Sequence, residues 1–144
     1  MIKRLVPTFA TNGLTLDQLC LHVVNSTSYE VWRNGEDQRG FTATDFRDVV
    51  EDQIAKYGSV IVNYDMSTLG QIPAGGHFSL VAGLIRRQGI SEDDTSVPDD
   101  YFVLLLDCWP ETPVAWVPIE ALFQAMNTPD RGNGGKFRGF LRRI

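Results

Sequence analysis

Apolar positions change period several times along the chain, and each change marks a predicted element. Leu16, Leu19, Cys20 and Val23 recur at helical spacing behind Thr15, whose hydroxyl suits a helix cap with Asp17 in the first turn. Residues 29–32 alternate and predict a short strand. Phe46, Val49, Val50, Ile54 and Tyr57 form a longer helical stripe, capped by Thr42 or Thr44 and stopped by Gly58. Residues 59–64 and about 77–87 predict two further strands. The continuous apolar run at 101–107 predicts a strand covered on both faces. Pro118 opens a helix at its first position, with Ile119, Leu122, Phe123 and Met126 as the apolar side. Residues 136–141 close the pattern as a strand. Turn pairs Asn12-Gly13, Asn34-Gly35 and Arg39-Gly40, with loops at 67–76, 88–100 and 128–135, punctuate these elements.

The predicted order is helix, strand, helix, three strands, helix, strand. No crossover helices separate the middle strands, so the sheet should be antiparallel and the fold class α+β. At 144 residues the chain is expected to be a single domain. The formal net charge of −5 disfavours nucleic acid as a partner, because phosphate binding needs a basic face. The acidic run Glu92, Asp93, Asp94, Asp99 and Asp100 reads as a solvated hairpin insertion. Two cysteines, Cys20 and Cys108, are too few for a disulfide framework and too far apart for a Cys-x-x-Cys site. The basic start has no long apolar stretch behind it, and no run reaches membrane-span length. A cytoplasmic protein without membrane contact is the expectation.

His77 is the residue best suited to chemistry. It stands in Gly75-Gly76-His77-Phe78-Ser79 at a strand mouth, where glycines permit close backbone approach to a ligand. Histidine titrates near neutral pH and serves as a general base when a second group orients its ring. Hairpin pairing of 77–87 with 101–107 would return Asp107 to the side of His77. A carboxylate at the end of an apolar strand needs a partner. The two residues read either as a satisfied structural pair or as two members of a catalytic triad. His22, two residues from Cys20 on the first helix, points to a different face and reads as surface or packing.

Four segments, in order, resemble phytochelatin synthases: Leu69-Gly70-Gln71 with Gly76-His77-Phe78-Ser79; Leu104-Leu105-Leu106-Asp107; Trp116-Val117-Pro118; and Gly135-Lys136-Phe137-Arg138-Gly139-Phe140-Leu141. The resemblance runs from about residue 13 to the C-terminus and implies a papain-like fold. In that family a cysteine attacks the glycyl amide of glutathione. Glycine leaves, and the γ-glutamylcysteinyl group passes to a second glutathione or to water. The resemblance makes His77 the acid/base and Asp107 its orienting partner, with Gly75, Gly76, Phe78 and Ser79 at the substrate. It implies no tightly bound cofactor; a heavy metal such as Cd or Zn enters as a metal–thiolate form of the substrate.

By this resemblance the chain corresponds to the C-terminal half of the catalytic domain, and the family's nucleophile lies upstream of the matched segments. A separate cysteine-bearing half, or a second copy, is therefore the expected partner beside glutathione. The alternatives are an inactive fragment or binding half-domain, and a peptidase of the bacteriocin-processing kind. The spacing of 30 from His77 to Asp107 exceeds that usual in the family; the acidic loop absorbs the difference. Cys20 falls mid-helix on the apolar stripe and reads as a buried structural thiol. Cys108, beside an anion and on the opposite sheet face from Asp107, is a weaker candidate still.

Overall fold

In the computed structural model, residues 14–22, 28–35, 40–71, 75–87, 101–107 and 114–144 are described. The turn at Asn12-Gly13, Val23, the acidic loop 88–100 and Cys108 lie outside them. The described elements are α1 (Leu16–His22), β1 (Tyr29–Arg33), α2 (Ala43–Tyr57), β2 (Val60–Asp65), β3 (Gly76–Arg86), β4 (Tyr101–Leu106), β5 (Val114–Pro118), α3 (Ile119–Met126) and β6 (Gly139–Arg143). Short 3-10 turns occupy Met66–Leu69 and Arg131–Asn133. The six strands form one sheet in the order β1-β6-β2-β3-β4-β5. Every neighbouring pair is antiparallel, as expected for this class.

Local chemistry explains the helix ends. Thr42, not Thr44, caps α2: its hydroxyl accepts from Asp45 N–H while the Asp45 carboxylate accepts from Thr42 N–H, a reciprocal capping box. Gly58 closes the helix in the left-handed conformation at φ 85°, and its N–H donates to Ile54 O. Pro118 ends β5 as the cap of α3 instead of starting the helix, which is a one-residue correction to the sequence reading. Strand β5 itself was absent from the predicted order. Its five residues follow a proline at 113 and end on Pro118, and the pattern there reads as turn punctuation. What makes it a strand is pairing with β4 from Leu106↔Val114 to Phe102↔Pro118.

Helices α2 and α3 cover one face of the sheet. Phe46 and Val50 from α2, and Ile119, Leu122, Ala125 and Met126 from α3, pack on Val60, Val62, Tyr64, Val81, Val103, Leu105 and Phe140. Val49 and Ile54 support this core as predicted, but Tyr57 does not. It is exposed, and the Arg143 guanidinium lies 4.5 Å from its ring centre. Gln53 takes the buried place instead: its amide donates to Arg143 O at 3.1 Å and its carbonyl accepts from Arg143 N–H at 2.8 Å. A side-chain amide can mimic a strand partner in this way, which no hydropathy pattern records. On the opposite face α1 lays Leu16, Leu19 and Cys20 over Leu141, with Tyr29, Val31, Ile61 and Phe78 around them. Beyond α1 the same face of β3 to β5 carries Leu80, Ile85, Val114 and Trp116, all exposed.

Strand β3 contains an irregularity that matters for the site. Its pairing with β4 runs from Arg86↔Tyr101 to Gly83↔Leu104 in one register and from Val81↔Leu105 to Leu80↔Leu106 in another, shifted by one residue. The shift is a β-bulge at Ala82.

Candidate active site

His77 lies near the start of β3, directly opposite Tyr64 of β2. Opposed residues share a sheet face, so His77 stands on the α2/α3 side with the buried Tyr64. The Tyr64 ring meets the imidazole edge-on, with centres 5.9 Å apart and planes at 84°. The Tyr64 hydroxyl is 3.2 Å from Ser79 Oγ, which ties the two strands together beneath the histidine.

Asp107 follows the last residue of β4. Continuing the register one step beyond Leu80↔Leu106 sets Asp107 opposite Ser79, and therefore diagonal to His77 on the same face. Its Oδ1 lies 2.6 Å from His77 Nε2. Both side chains are largely withdrawn from water, at 12% and 5% exposure, so little solvent competes for the bond. A carboxylate can only accept, so Nε2 carries the proton, and Nδ1 is the nitrogen of the neutral ring able to take one.

The bulge at Ala82 creates this arrangement. With the unshifted register of the hairpin's far end, Asp107 would oppose Leu80, whose side chain is on the α1 side. It would then face away from His77. One extra residue reverses the alternation and brings the two together.

The remaining predicted site residues take different places. Gly75, at φ 129°, has a conformation that favours glycine, and its carbonyl accepts from Met66 N–H at 2.9 Å. Gly76 is filled from outside: a Cβ there would overlap the Arg138 guanidinium. Ser79 is buried and engaged with Tyr64. The Phe78 side chain packs with the α1 layer, on the face opposite to His77.

Arg138 enters the sequence reading only as part of the closing motif, without a role at the site. It precedes β6 and is itself nearly buried, with Nη1 3.6 Å from Asp130 Oδ2. Asp130 is held by its own loop, accepting from Gly132 N–H at 3.0 Å. The Ser67 hydroxyl and burial act oppositely on Asp65; the Ser67 bonds prevail and, with the Arg138 charge, hold its carboxyl below the usual range. A cation thus sits against the residue preceding His77, flanked by two acids. The signal in the sequence was an arginine inside an otherwise buried strand approach, Phe137-Arg138-Gly139. Long cationic side chains rarely sit fully buried unless paired.

Cys20 lies in the other layer. It is buried between Leu16, Leu19 and Leu141, and its Sγ is 3.6 Å from Tyr29 O. Burial, with the charge of Asp17, pushes its thiol up from the ordinary value, which leaves it protonated at neutral pH. The sheet stands between it and His77. Iodoacetamide should therefore alkylate Cys20 slowly in the native protein and readily in guanidinium. Peptide mass mapping checks this, and rapid native labelling would contradict the burial. Among the described residues no group of three or more His, Cys, Asp or Glu side chains could hold a metal ion. None of the described helices is long and apolar enough to cross a membrane.

The chain is 33% identical over 132 residues to glutathione gamma-glutamylcysteinyltransferase 3 of Lotus japonicus, a match covering 90% of this chain and 24% of that protein. The chain thus spans about a quarter of the length of the curated relative it matches. A family profile described as phytochelatin synthase matches residues 3–140, nearly the whole sequence, and on that match the chain belongs to the phytochelatin synthase family.

Proposed function

We propose that this chain supplies the acid/base part of a γ-glutamylcysteinyl transfer site of papain-like construction, with His77 as the proton carrier and Asp107 as its orienting carboxylate. The observation that carries the reading is the 2.6 Å contact between Asp107 Oδ1 and His77 Nε2 at a largely water-excluded strand mouth. Arg138 offers a guanidinium beside Gly76 for a carboxylate of the peptide substrate.

A thiol presented to His77 gives its proton to Nδ1, and its sulfur attacks the glycyl amide carbon of glutathione. Breakdown of the tetrahedral adduct breaks the C–N bond. The proton passes from Nδ1 to the departing glycine nitrogen, which leaves a thioester. A second glutathione amine, or water, attacks the thioester carbon and gives up a proton to Nδ1. The thiol then leaves and recovers that proton. Asp107 stabilises the imidazolium at both stages. A metal ion, where present, arrives as the thiolate complex of the substrate.

Cys20 packs on the other side of the sheet, so the thiol in this scheme comes from a cysteine-bearing segment supplied from outside the α1 layer. The test is free-glycine release and intact mass after incubation with glutathione. The chain is assayed alone and with a family member's cysteine-bearing segment added. Glycine release that depends on the added segment is the expected result. An adduct on the chain alone that disappears with Cys20→Ala would relocate the nucleophile. Glutathione binding without glycine in either arm would favour a binding half-domain over an enzyme.

A further inference from the structure

Strand β3 is held unevenly along its length. Its ladder with β4 reaches back only to Leu80↔Leu106, three residues past His77 in the chain, whereas its ladder with β2 continues to Gly76. Among the described residues, β2 is the strand whose ladder reaches the histidine.

Asn63 is the β2 residue next to Tyr64, and it is an expensive choice for its place. It stands in Val60-Ile61-Val62-Asn63-Tyr64, a central strand where asparagine has poor β-propensity. It is 2% exposed, and its Oδ1 is buried with no hydrogen-bond partner among the described residues. A buried acceptor left unmade is costly. A β-branched apolar residue would continue the strand without that penalty. What asparagine gains is one bond: its Nδ2 donates to His77 O at 3.1 Å. The amide orientation follows, since a carbonyl facing His77 O would repel it.

We propose that Asn63 is a positioning residue for the histidine. By fixing the His77 carbonyl from the α1 side of the sheet, it sets the peptide plane from which the imidazole projects on the other side, and so keeps Nε2 on Asp107. The assignment rests on His77 and Asp107 being the working pair.

The test does not require turnover. The chain has two histidines, His22 and His77, so their imidazole nitrogens are separable by ¹⁵N NMR, with His22 as internal reference. Wild type is expected to show His77 with its proton on Nε2. Asn63→Val removes the donor together with the unpaired acceptor. It should melt no lower than wild type, while the His77 nitrogen shifts move toward a mixture of tautomers. Asn63→Leu removes both polar atoms at nearly equal size and should give the same shift change. Asn63→Thr keeps a hydroxyl donor on a β-branched frame and should hold the wild-type shifts.

Unchanged His77 nitrogen shifts in any folded variant that lacks the donor would overturn the proposal and leave Asn63 a packing residue. Shifts that respond as expected in a chain that never releases glycine would uphold the positioning role and remove the transferase reading instead.

Discussion

Alanine at His77 should lower glycine release from glutathione by roughly 10²–10⁴-fold, the range attributed to a positioned acid/base group. The same proton carrier serves both half-reactions, so the loss should appear in formation of the thioester and in its consumption. Chromatographic assay of free glycine, with the cysteine-bearing segment present, measures it. The variant should also lose some stability, because the nearly buried Asp107 carboxylate gives up its imidazole bond, so activity is read at a temperature where the variant remains folded. Asp107→Asn should also be severe: the amide keeps the shape but removes the charge that stabilises an imidazolium, and it permits the wrong ring tautomer. Retention of more than a tenth of the activity in His77→Ala would remove the histidine from the mechanism.

The largest stability effect should come from Phe140→Ala. Phe140 is fully buried on β6, the strand between β1 and β2. Its ring centre lies 5.1 Å from that of Phe46, 5.4 Å from that of Phe41 and 5.7 Å from that of Trp32, so α2, its lead-in, β1 and β6 meet at one aromatic contact. Truncating a phenylalanine in such a site costs about 3–5 kcal/mol, transfer and cavity together. Domains of this size hold on the order of 5–15 kcal/mol in all. A fall in melting temperature of roughly 10 °C or more is expected. Chemical denaturation with a common slope checks it. A change below about 1 kcal/mol would mean that the aromatic cluster collapses to fill the gap. Val114→Ala, on the exposed face of β5, should change stability little by comparison.

The sequence by itself determined the α+β class, the capped helix over 43–57, the strands on either side of His77 and the nearness of the strand ends that carry His77 and Asp107. These are consequences of local chemistry: a Thr-x-x-Asp cap, a terminating glycine, and apolar runs whose period separates strand from helix. The four motif segments supplied the family. Other features depend on contacts between distant segments. Strand β5 exists because β4 offers it a ladder, and Gln53 is buried because the end of β6 lies across α2. Arg138 reaches the site because β6 runs beside β2, which places it against Gly76, 62 positions earlier in the chain.

Even the histidine–aspartate pair was legible only as proximity. Hairpin order brings the two strand ends together, but side-chain alternation has a period of two, and a single residue decides which face each one takes. The bulge at Ala82 makes that decision, and an apolar strand with no polar alternation carries no sign of it. Composition fixes what can be buried. Register, set only when β3 closes on β4, fixes whether Asp107 meets His77.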